Sequence, residues 1–552
     1  MSEQVITDPG IALTALQRAY LAGRDRAFEL GGTGTHTYAE FRIDADLGQL
    51  QHAINALVAR HEALRLVIDP TTGMQHVLHD VGPFPLRHLD LRSLPTDEAA
   101  ARLNQLRREQ GAAVRDPRSW PLFGVSFLEL GHERRLCVDF DGLVLDLHSI
   151  LKIRDELGAA LAGTDLGAVS RPLLAAVGEA ERRTTEREPT AREYWQQRLP
   201  HVPPPPRLPL AAAPQTGTRT SFTTRSVQLD VQWRTRVACA LRGSAVTEAA
   251  LWLGAVSETL ARRCRQRRFS VLVPCSIRHL LPREDRATLG PFSGFVPVEV
   301  DWREEVLGDR LRGLRSALLL ATAHHAGAGV ALTTLLAQRH QRTGRPVFPV
   351  VLTIGTGVTG MKTGGLGEPL YTASQTAQVY LDLRIFDSAD GGFRIEVDSV
   401  DDVLGAEQAE NLLPEVIANL DQILSALVGD DVVEPLPTDT ALASWEACIA
   451  PVGAVEQVLE ACIATTGGHF PVGRYDPLVE VISGFEAANR FAVEINDRLP
   501  GLELSRIDVL REPDIASLAQ AIANRDPLYD QIAELSIEAE RLASTDGRED
   551  SQ

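Results

Sequence analysis

Cysteine pairs and long apolar runs are missing from this sequence of 552 residues. None of its six cysteines belongs to a Cys-x2-Cys pair; they lie at positions 137, 239, 264, 275, 448 and 462. Neither a zinc site nor a disulfide framework is therefore predicted, and a reducing cytoplasm is the expected location. No apolar run approaches about 18 residues, and the first residues do not resemble a secretory leader, so we expect neither a membrane span nor export.

The sequence is also short of basic charge. Lysine and arginine together number 55 against 74 aspartates and glutamates, which gives a net charge of −19. A surface that binds the phosphates of nucleic acid needs a surplus of basic residues, so we expect no nucleic-acid partner. The apolar fraction of 44% and the charged fraction of 23% are typical of a globular protein. The length predicts about two to four domains.

An acidic turn near residue 140 is the most informative feature of the chain. The segment Cys137-Val-Asp-Phe-Asp-Gly-Leu-Val-Leu-Asp-Leu-His-Ser149 is predicted to be a short apolar strand that runs into a loop and a helix. It places Asp141, Asp146 and Ser149 at the spacing Asp-x4-Asp-x2-Ser. Burying unpaired carboxylates is costly, so either the turn is solvated or other residues hold the two aspartates in place.

This spacing resembles the signature of the heterocyclization domains of nonribosomal peptide synthetases, which are relatives of peptide-bond-forming condensation domains. Condensation domains carry His-His-x3-Asp-Gly at the same turn. In that alignment Asp141 takes the place of the first histidine, and Gly142 takes the place of the second, which is the catalytic one. Asp146 remains in both patterns.

Further segments resemble the same family and follow in the family's order. Leu13–Arg24 resembles the opening Leu-Thr-x2-Gln-x-Ala-Tyr-x2-Gly-Arg, and Arg60–Arg65 resembles Arg-His-x-Met-Leu-Arg. Val350–Thr353 resembles Val-Val-Phe-Thr. The most specific match is Ser374-Gln-Thr-Ala-Gln-Val-Tyr-Leu-Asp382, which differs from Ser-Gln-Thr-Pro-Gln-Val-Trp-Leu-Asp at two positions. On these segments the chain is identified as a member of the heterocyclization family.

The resemblance implies an α/β (α+β) fold of two chloramphenicol-acetyltransferase-like lobes, which form a V with the active site between them. Five prolines between Val202 and Pro209 cannot continue a helix or a central strand, and they mark a linker between the lobes. The predicted organisation is an N-terminal lobe over residues 1–190, a linker over 191–214, a C-terminal lobe over 215–428, a second linker over 429–452, a helical carrier-like domain over 453–525 and an acidic tail over 526–552.

The resemblance also implies which residues act. Asp382 and Thr353 are expected to move protons during ring closure, work that suits a carboxylate with a hydroxyl to orient it. The strand pattern alone leaves the direction of Asp382 open, because an inward-facing Leu381 would turn its neighbour outward. The remaining motif residues are expected to organise the site, with Arg278 pairing across the lobes: Asp141, Asp146, Ser149, Arg278 and Gln375.

The chain departs from the family pattern at several points in the site. Because Gly142 supplies no imidazole, amide formation is expected to rely on the positioning of two thioester-bound reactants. The family's Gly-Asp-Phe-Thr is Gly290-Pro-Phe-Ser293 here, and the usual His-Gln after Leu-Asp is Leu383-Arg384. These changes touch the pocket wall and leave the substrate and the retention of cyclodehydration open.

The C-terminal region resembles a carrier domain that has lost its attachment point. Leu502–Ala519 resembles the second half of a carrier, but the Gly-Gly-x-Ser-Leu that should precede it is Ile482-Ser-Gly-Phe-Glu-Ala-Ala-Asn489. Phe485 or Glu486 falls where the phosphopantetheine serine belongs, depending on one gap, and Ser483 comes too early. We therefore expect a pseudo-carrier that recruits or orients a partner, or packs on the C-terminal lobe.

The predicted function is that of a free-standing heterocyclization enzyme. It would condense a carrier-bound acyl or peptidyl thioester with a carrier-bound Cys, Ser or Thr and cyclodehydrate the product to a thiazoline or oxazoline. No cofactor or metal is expected on the chain itself. Phosphopantetheine arms of upstream and downstream carrier proteins would deliver both substrates, and an adenylation-domain protein would act in trans. Two alternatives stay open: an enzyme that only forms the amide, and a catalytically silent docking scaffold.

Overall fold

A computed structural model of the chain describes residues 9–167, 172–304, 306–357, 365–429, 436–437, 444–482 and 484–549. The elements of the N-terminal lobe are, in chain order, β1 (Ile11–Ala12), α1 (Ala15–Ala22), β2 (His36–Ile43), α2 (Leu47–Arg60), β3 (Leu66–Asp69), β4 (Met74–Val77), β5 (Arg87–Asp90), α3 (Thr96–Gly111), β6 (Phe123–Glu129), β7 (Arg134–Asp141), α4 (Leu147–Leu161) and α5 (Leu173–Arg198).

The main sheet of this lobe places β2, β7, β6 and β5 side by side, and β1, β4 and β3 form a smaller sheet. Successive side chains of a strand point to opposite faces, and here both faces of the main sheet are covered. Phe41 and Val138 pack with residues of α2 and α4 on one face. Tyr38 and Cys137 pack with residues of α3 on the other face.

The C-terminal lobe is built on a second sheet. Its elements are β8 (Pro209–Leu210), β9 (Thr223–Leu229), α6 (Val231–Leu241), α7 (Glu248–Cys264), β10 (Arg268–Ser276), β11 (Ser293–Asp301), α8 (Leu307–Ala323), α9 (Gly329–Arg339), β12 (Val350–Ile354), β13 (Tyr371–Gln375), β14 (Leu381–Asp387), β15 (Phe393–Ser399), α10 (Asp401–Leu404) and α11 (Ala406–Val428). The strand order of the sheet is β11-β10-β12-β14-β15-β9. Leu381, Leu383 and Ile385 of β14 are fully buried in one core cluster with residues of α7 and α11.

One strand of the C-terminal lobe's sequence belongs to the other lobe's sheet. Strand β13 pairs antiparallel with β2, with Gln375 opposite His36. The motif Ser374–Asp382 is therefore divided, because its first two residues lie in the N-terminal sheet and Asp382 lies in the C-terminal sheet. The predicted C-terminal lobe over residues 215–428 took no account of this crossing. The backbone hydrogen bonds between β13 and β2 join the two lobes to each other.

A third unit follows, with elements β16 (Cys448–Ile449), α12 (Ala454–Thr466), α13 (Leu478–Val481), α14 (Phe485–Arg498), α15 (Arg506–Arg511), α16 (Ile515–Arg525) and α17 (Leu528–Glu549). It packs on the C-terminal lobe, since β16 pairs in parallel with β8. Nη2 of Arg207, in the proline-rich linker, also makes a buried ion pair with Asp476 and lies 2.7 and 2.9 Å from its two carboxylate oxygens.

Helix α17 corrects the prediction of an acidic tail over residues 526–552. Ala533 is fully buried in the core of the helical domain, and Tyr529, Ile532 and Ile537 pack against that core. These apolar residues recur at helical spacing, so they share one face of the helix while the acidic residues between them face water. The helical domain therefore continues beyond residue 525.

The expectations about membrane spans, metal sites, the second linker and Ser483 can be compared only with the part of the chain that the structure describes. Within the described ranges, no helix is long and apolar enough to cross a membrane, and no group of His, Cys, Asp and Glu is arranged to hold a metal ion. Half of the predicted linker over residues 429–452, and Ser483, lie outside the described residues.

Candidate active site

The acidic turn is a helix cap rather than a solvated loop. Asp146 is the N-cap of α4, and its Oδ1 accepts hydrogen bonds from the Ser149 backbone N–H at 2.9 Å and the Ser149 hydroxyl at 2.6 Å. Aspartate is a preferred N-cap residue because it satisfies a backbone donor that the helix leaves free. Capping of helix α4 thus explains the Asp-x2-Ser half of the motif.

Arg278 ties this cap to the other lobe. It follows β10 of the C-terminal sheet, and its Nη2 lies 2.8 Å from Asp146 Oδ1 and 2.8 Å from the Ser149 hydroxyl. All three side chains are buried. The Ser149 oxygen also accepts a hydrogen bond from the Gly290 N–H at 2.9 Å. A buried, multiply bonded pair of this kind holds geometry and is costly to break on one side only.

Asp141, the other carboxylate of the motif, has a separate partner. Arg24 Nη2 lies 2.5 Å from Asp141 Oδ2, and the Leu143 N–H donates to Asp141 Oδ1 at 3.0 Å. Asp141 is fully buried. It therefore shapes the turn from within the N-terminal lobe and does not share Arg278.

Gly142 stands where a condensation domain has its catalytic histidine, and the structure leaves no room there for a side chain. A Cβ at this position would lie 2.8 Å from Thr35 Cγ2 and 3.2 Å from the Thr35 carbonyl oxygen. The Gly142 N–H donates to that carbonyl at 2.8 Å, which holds the two backbones together. The backbone at this turn therefore leaves no space for an imidazole at position 142.

Thr353 and Asp382 lie on the neighbouring parallel strands β12 and β14, where Val351 is opposite Asp382. The Thr353 hydroxyl is 3.5 Å from Asp382 Oδ1. Both residues line a cavity of about 260 Å³ between the lobes, together with Tyr20 and Asp146 of the N-terminal lobe. Asp382 points into this cavity because the C-terminal sheet has its helices on the other face, which carries Leu381.

Burial raises the pKa of Asp382 to about 8, against an ordinary value of 3.8. The guanidinium of Arg384 opposes this rise, and the negative charge of Asp398 adds to it. Arg384 is itself engaged by Asp398 at 2.5 Å and by Glu396 at 2.9 Å. A carboxyl with such a pKa exists in both protonation states near neutral pH, so it can both accept and donate a proton there.

Gln375 is placed next to the site rather than in its wall. It is buried on β13, and its Nε2 has no hydrogen-bond partner among the described residues. Two residues that sequence reasoning did not assign do line the cavity. Tyr20 lies within the opening motif Leu13–Arg24, so the family match could have pointed to it. Burial and the charges of Asp382 and Asp146 raise its pKa. Arg384 was seen only as a departure from the family pattern.

The carrier-like domain shows no hydroxyl at its expected attachment point among the described residues. Helix α14 begins at Phe485, whose side chain is 67% exposed, and Glu486 follows it on the surface. Gly484 precedes them with a φ of 92°, a conformation that favours glycine. Neither Phe485 nor Glu486 can carry a phosphopantetheine ester.

Comparison with known proteins agrees with this architecture. The family model described as a condensation domain matches residues 34–428, and the chain therefore belongs to the condensation-domain family. Phenyloxazoline synthase MbtB of Mycolicibacterium paratuberculosis is 32% identical over 403 residues, which are 71% of this chain and 34% of that relative. Pyochelin synthetase PchF of Pseudomonas aeruginosa is 30% identical over 445 residues, 77% of this chain and 24% of that relative.

Among solved structures, the cyclization–docking bidomain of EpoB from Sorangium cellulosum is 27% identical, with a TM-score of 0.69 over 78% of this chain and 88% of that one. The predicted heterocyclization resemblance and the predicted two-lobed α/β fold are thereby confirmed. The chain spans about a third or less of the length of the two curated relatives.

Proposed function

We propose that this chain catalyses condensation followed by heterocyclization. In the first step, the amine of a carrier-bound Cys, Ser or Thr attacks the carbonyl of an acyl or peptidyl thioester, and the carrier thiol leaves. In the second, the side-chain thiol or hydroxyl attacks the new amide carbonyl, and one water departs to give a thiazoline or oxazoline. The observation that carries the proposal is the Thr353–Asp382 pair in the cavity between the lobes.

Asp382 is proposed to shuttle protons through ring closure. It moves the proton of the attacking thiol or hydroxyl to the amide oxygen, and then moves the amide N–H proton to the departing hydroxyl. A C=N double bond forms and one water is released. A pKa near 8 suits both transfers, because the group must accept and donate in turn. The Thr353 hydroxyl orients the carboxyl.

Amide formation is proposed to proceed without a histidine. With Gly142 closed against Thr35, the cleft contributes mainly by holding amine and thioester together. Such positioning can supply a large effective concentration. The clamp of Arg278, Asp146 and Ser149 keeps the two walls of the cleft at a fixed distance for this purpose.

The substrates are proposed to arrive on the phosphopantetheine arms of an upstream and a downstream carrier protein. Their loading would depend on adenylation activity supplied elsewhere. The carrier-like domain of this chain would not be one of these carriers, because Phe485 and Glu486 offer no hydroxyl. The names of two similar proteins, a phenyloxazoline synthase and a cyclization–docking bidomain, support the same class of chemistry.

The test is to incubate the protein with a carrier loaded with an acyl group and a second carrier loaded with cysteine, and to weigh the product released from the second carrier. The proposal expects the mass of the amide less one water. The amide alone would reduce the chain to a condensation enzyme. Neither product, with both carriers intact and the protein folded, would favour the docking scaffold.

A further inference from the structure

A second cavity, of about 110 Å³, lies behind the reaction cleft. The walls that it shares with the cleft include Thr37 of β2, Ile150 of α4 and Arg384 of β14. It is bounded by both lobes, so it is a continuation of the space between them. The reaction described above leaves this space without a role.

The order of residues along each wall shows how the two cavities connect. On β14, Asp382 faces the cleft, Arg384 borders both cavities, and Phe386 lines only the second. Alternate residues of a strand share a face and are about 6.7 Å apart. The second cavity therefore begins within a few bond lengths of the carbonyl that Asp382 is proposed to serve.

The second wall repeats the order. Thr35, which directly precedes β2, faces the cleft, Thr37 borders both cavities, and Ala39 lines only the second. A substituent on the reacting carbonyl carbon can therefore extend straight along the two strands. The part of the substrate that carries this carbon is the acyl donor, because its carbonyl becomes the carbon between the two heteroatoms of the ring.

The chemistry of the second cavity favours an apolar group. Its walls include six large apolar side chains: Phe41, Val138, Phe140, Ile153, Leu157 and Phe386. Three arginines and three carboxylates also border it, so these charges sum to zero: Arg154, Arg384, Arg394, Glu368, Asp387 and Glu396. Glu396 binds Arg394 at 2.6 Å and accepts from Thr372 at 2.7 Å, while Arg384 is held by Glu396 and Asp398. No net charge is offered to a ligand by this set.

The size of the second cavity sets an upper limit on the group. Apolar protein cavities of about 150 Å³ hold a benzene ring, and this one is of a similar size and opens into the cleft. We propose that it is an acyl pocket, which receives an apolar donor acyl group of about the size of one aromatic ring. This inference rests on the proposed function and names the substrate class of the same site.

The test uses the full chain with a cysteine-loaded acceptor carrier and donor carriers loaded with acetyl, benzoyl or dodecanoyl groups, with rates of both amide and ring formation measured by mass. Benzoyl is expected to react at least about 10-fold faster than acetyl, since filling an apolar pocket with even one extra carbon changes rates by about 10- to 200-fold. Dodecanoyl is expected to react slowly, because the chain exceeds the pocket.

Ala39→Leu, which fills the pocket from β2, should lower the benzoyl rate at least about 10-fold and leave the acetyl rate within about 3-fold. Ala101→Leu, which adds the same side chain on the exposed face of α3, is the matched control and should change neither rate. If Ala39→Leu does not fold, Phe386→Ala provides the complementary test. It enlarges the pocket and should raise the rate with a naphthoyl donor relative to benzoyl.

Two outcomes would overturn the acyl pocket. Equal loss of all donors in folded Ala39→Leu would identify the space as the passage for a carrier arm. Equal rates with acetyl and benzoyl, unchanged in Ala39→Leu, would leave the cavity without a substrate. The amide rates separate these results from a failure of the proposed function, since a chain that forms amide but no ring can still show the donor preference.

Discussion

Asp146 and Asp382 are two buried carboxylates that line the same cavity from opposite lobes. They differ in how completely their oxygens are paired. Asp146 is fully engaged, by the guanidinium of Arg278 and by the backbone and hydroxyl of Ser149. Asp382 has a 3.5 Å contact with Thr353, and the guanidinium of Arg384, whose charge lowers the pKa of Asp382, is held by other acids. Complete pairing is typical of a structural carboxylate, whereas incomplete pairing with a raised pKa supports the proposal that Asp382 is the reactive one.

The largest expected effect separates the structural carboxylate from the one that is proposed to react. Asp146→Ala leaves Arg278 buried and without its partner, so we expect a loss of about 3–5 kcal/mol in the free energy of unfolding and loss of both reaction steps. Denaturant unfolding measures this. The matched control is Asp90→Ala, which breaks an exposed pair with Arg92 and should change the stability far less than Asp146→Ala does. Equal stabilities of the two variants would remove the basis for calling Asp146 structural.

The second prediction removes the carboxylate that is proposed to react. Asp382→Asn should fold normally, form the linear amide, and close the ring at least about 100-fold more slowly, as expected when a general acid–base group is lost. Single-turnover mass measurement of amide and ring products follows both steps. Thr353→Val should show a smaller loss of the same kind, and Thr353→Ser, which keeps the hydroxyl, should retain most of the rate. If Asp382→Asn lost both steps equally while folded, the division of labour would be wrong.

The third prediction concerns pH. The pKa of Asp382 rises from 3.8 to about 8 on folding, so between these values the folded state holds a proton that the unfolded state has released. The stability that this group contributes is complete below about pH 4 and is lost as pH rises through about 8. Asp382→Asn should therefore gain stability relative to the native chain, by at most a few kcal/mol, as pH is raised from 4 to 9. Unfolding curves at several pH values measure it, and parallel curves for the two proteins would contradict the raised pKa.

The fourth prediction asks whether the missing histidine can be restored. Gly142→His should not speed amide formation, because its Cβ would meet Thr35 at 2.8 Å. Overpacking of this kind should destabilise the protein by about 1–3 kcal/mol. Thr35→Gly together with Gly142→His relieves the contact with the Thr35 side chain and should recover part of that loss. Faster amide formation by Gly142→His alone would show that the turn can still accept the catalytic group.

The smallest expected effect is none at all. Treatment with a phosphopantetheinyl transferase and coenzyme A should leave the mass of the chain unchanged, because Phe485 and Glu486 stand at the start of α14. A loadable carrier protein in the same reaction serves as the positive control. A gain of one arm that disappears in Ser483→Ala would make the C-terminal domain a working carrier.

Sequence motifs predicted the site best where the interacting residues are close together in the chain. Asp146 and Ser149 are three residues apart, and that spacing alone brings a cap and its donor together. The identity of Asp382 came from a nine-residue match, whereas its direction could not, because alternation along β14 gives two faces and does not say which one meets a partner lobe. The acidic tail was misjudged for a similar reason, since the apolar face of α17 has meaning only against the core that buries it.

The sequence by itself determined the family, the order of the motifs and the pair of residues proposed to act, since these are carried by residue types at fixed spacings. Only the tertiary structure decided that β13 crosses to the other lobe, that Thr35 closes the space beside Gly142, and that the cleft continues past Arg384 into a second cavity. Each of these depends on groups far apart in the chain. Their distances are set by how two sheets pack, and residue spacing within a motif does not encode that.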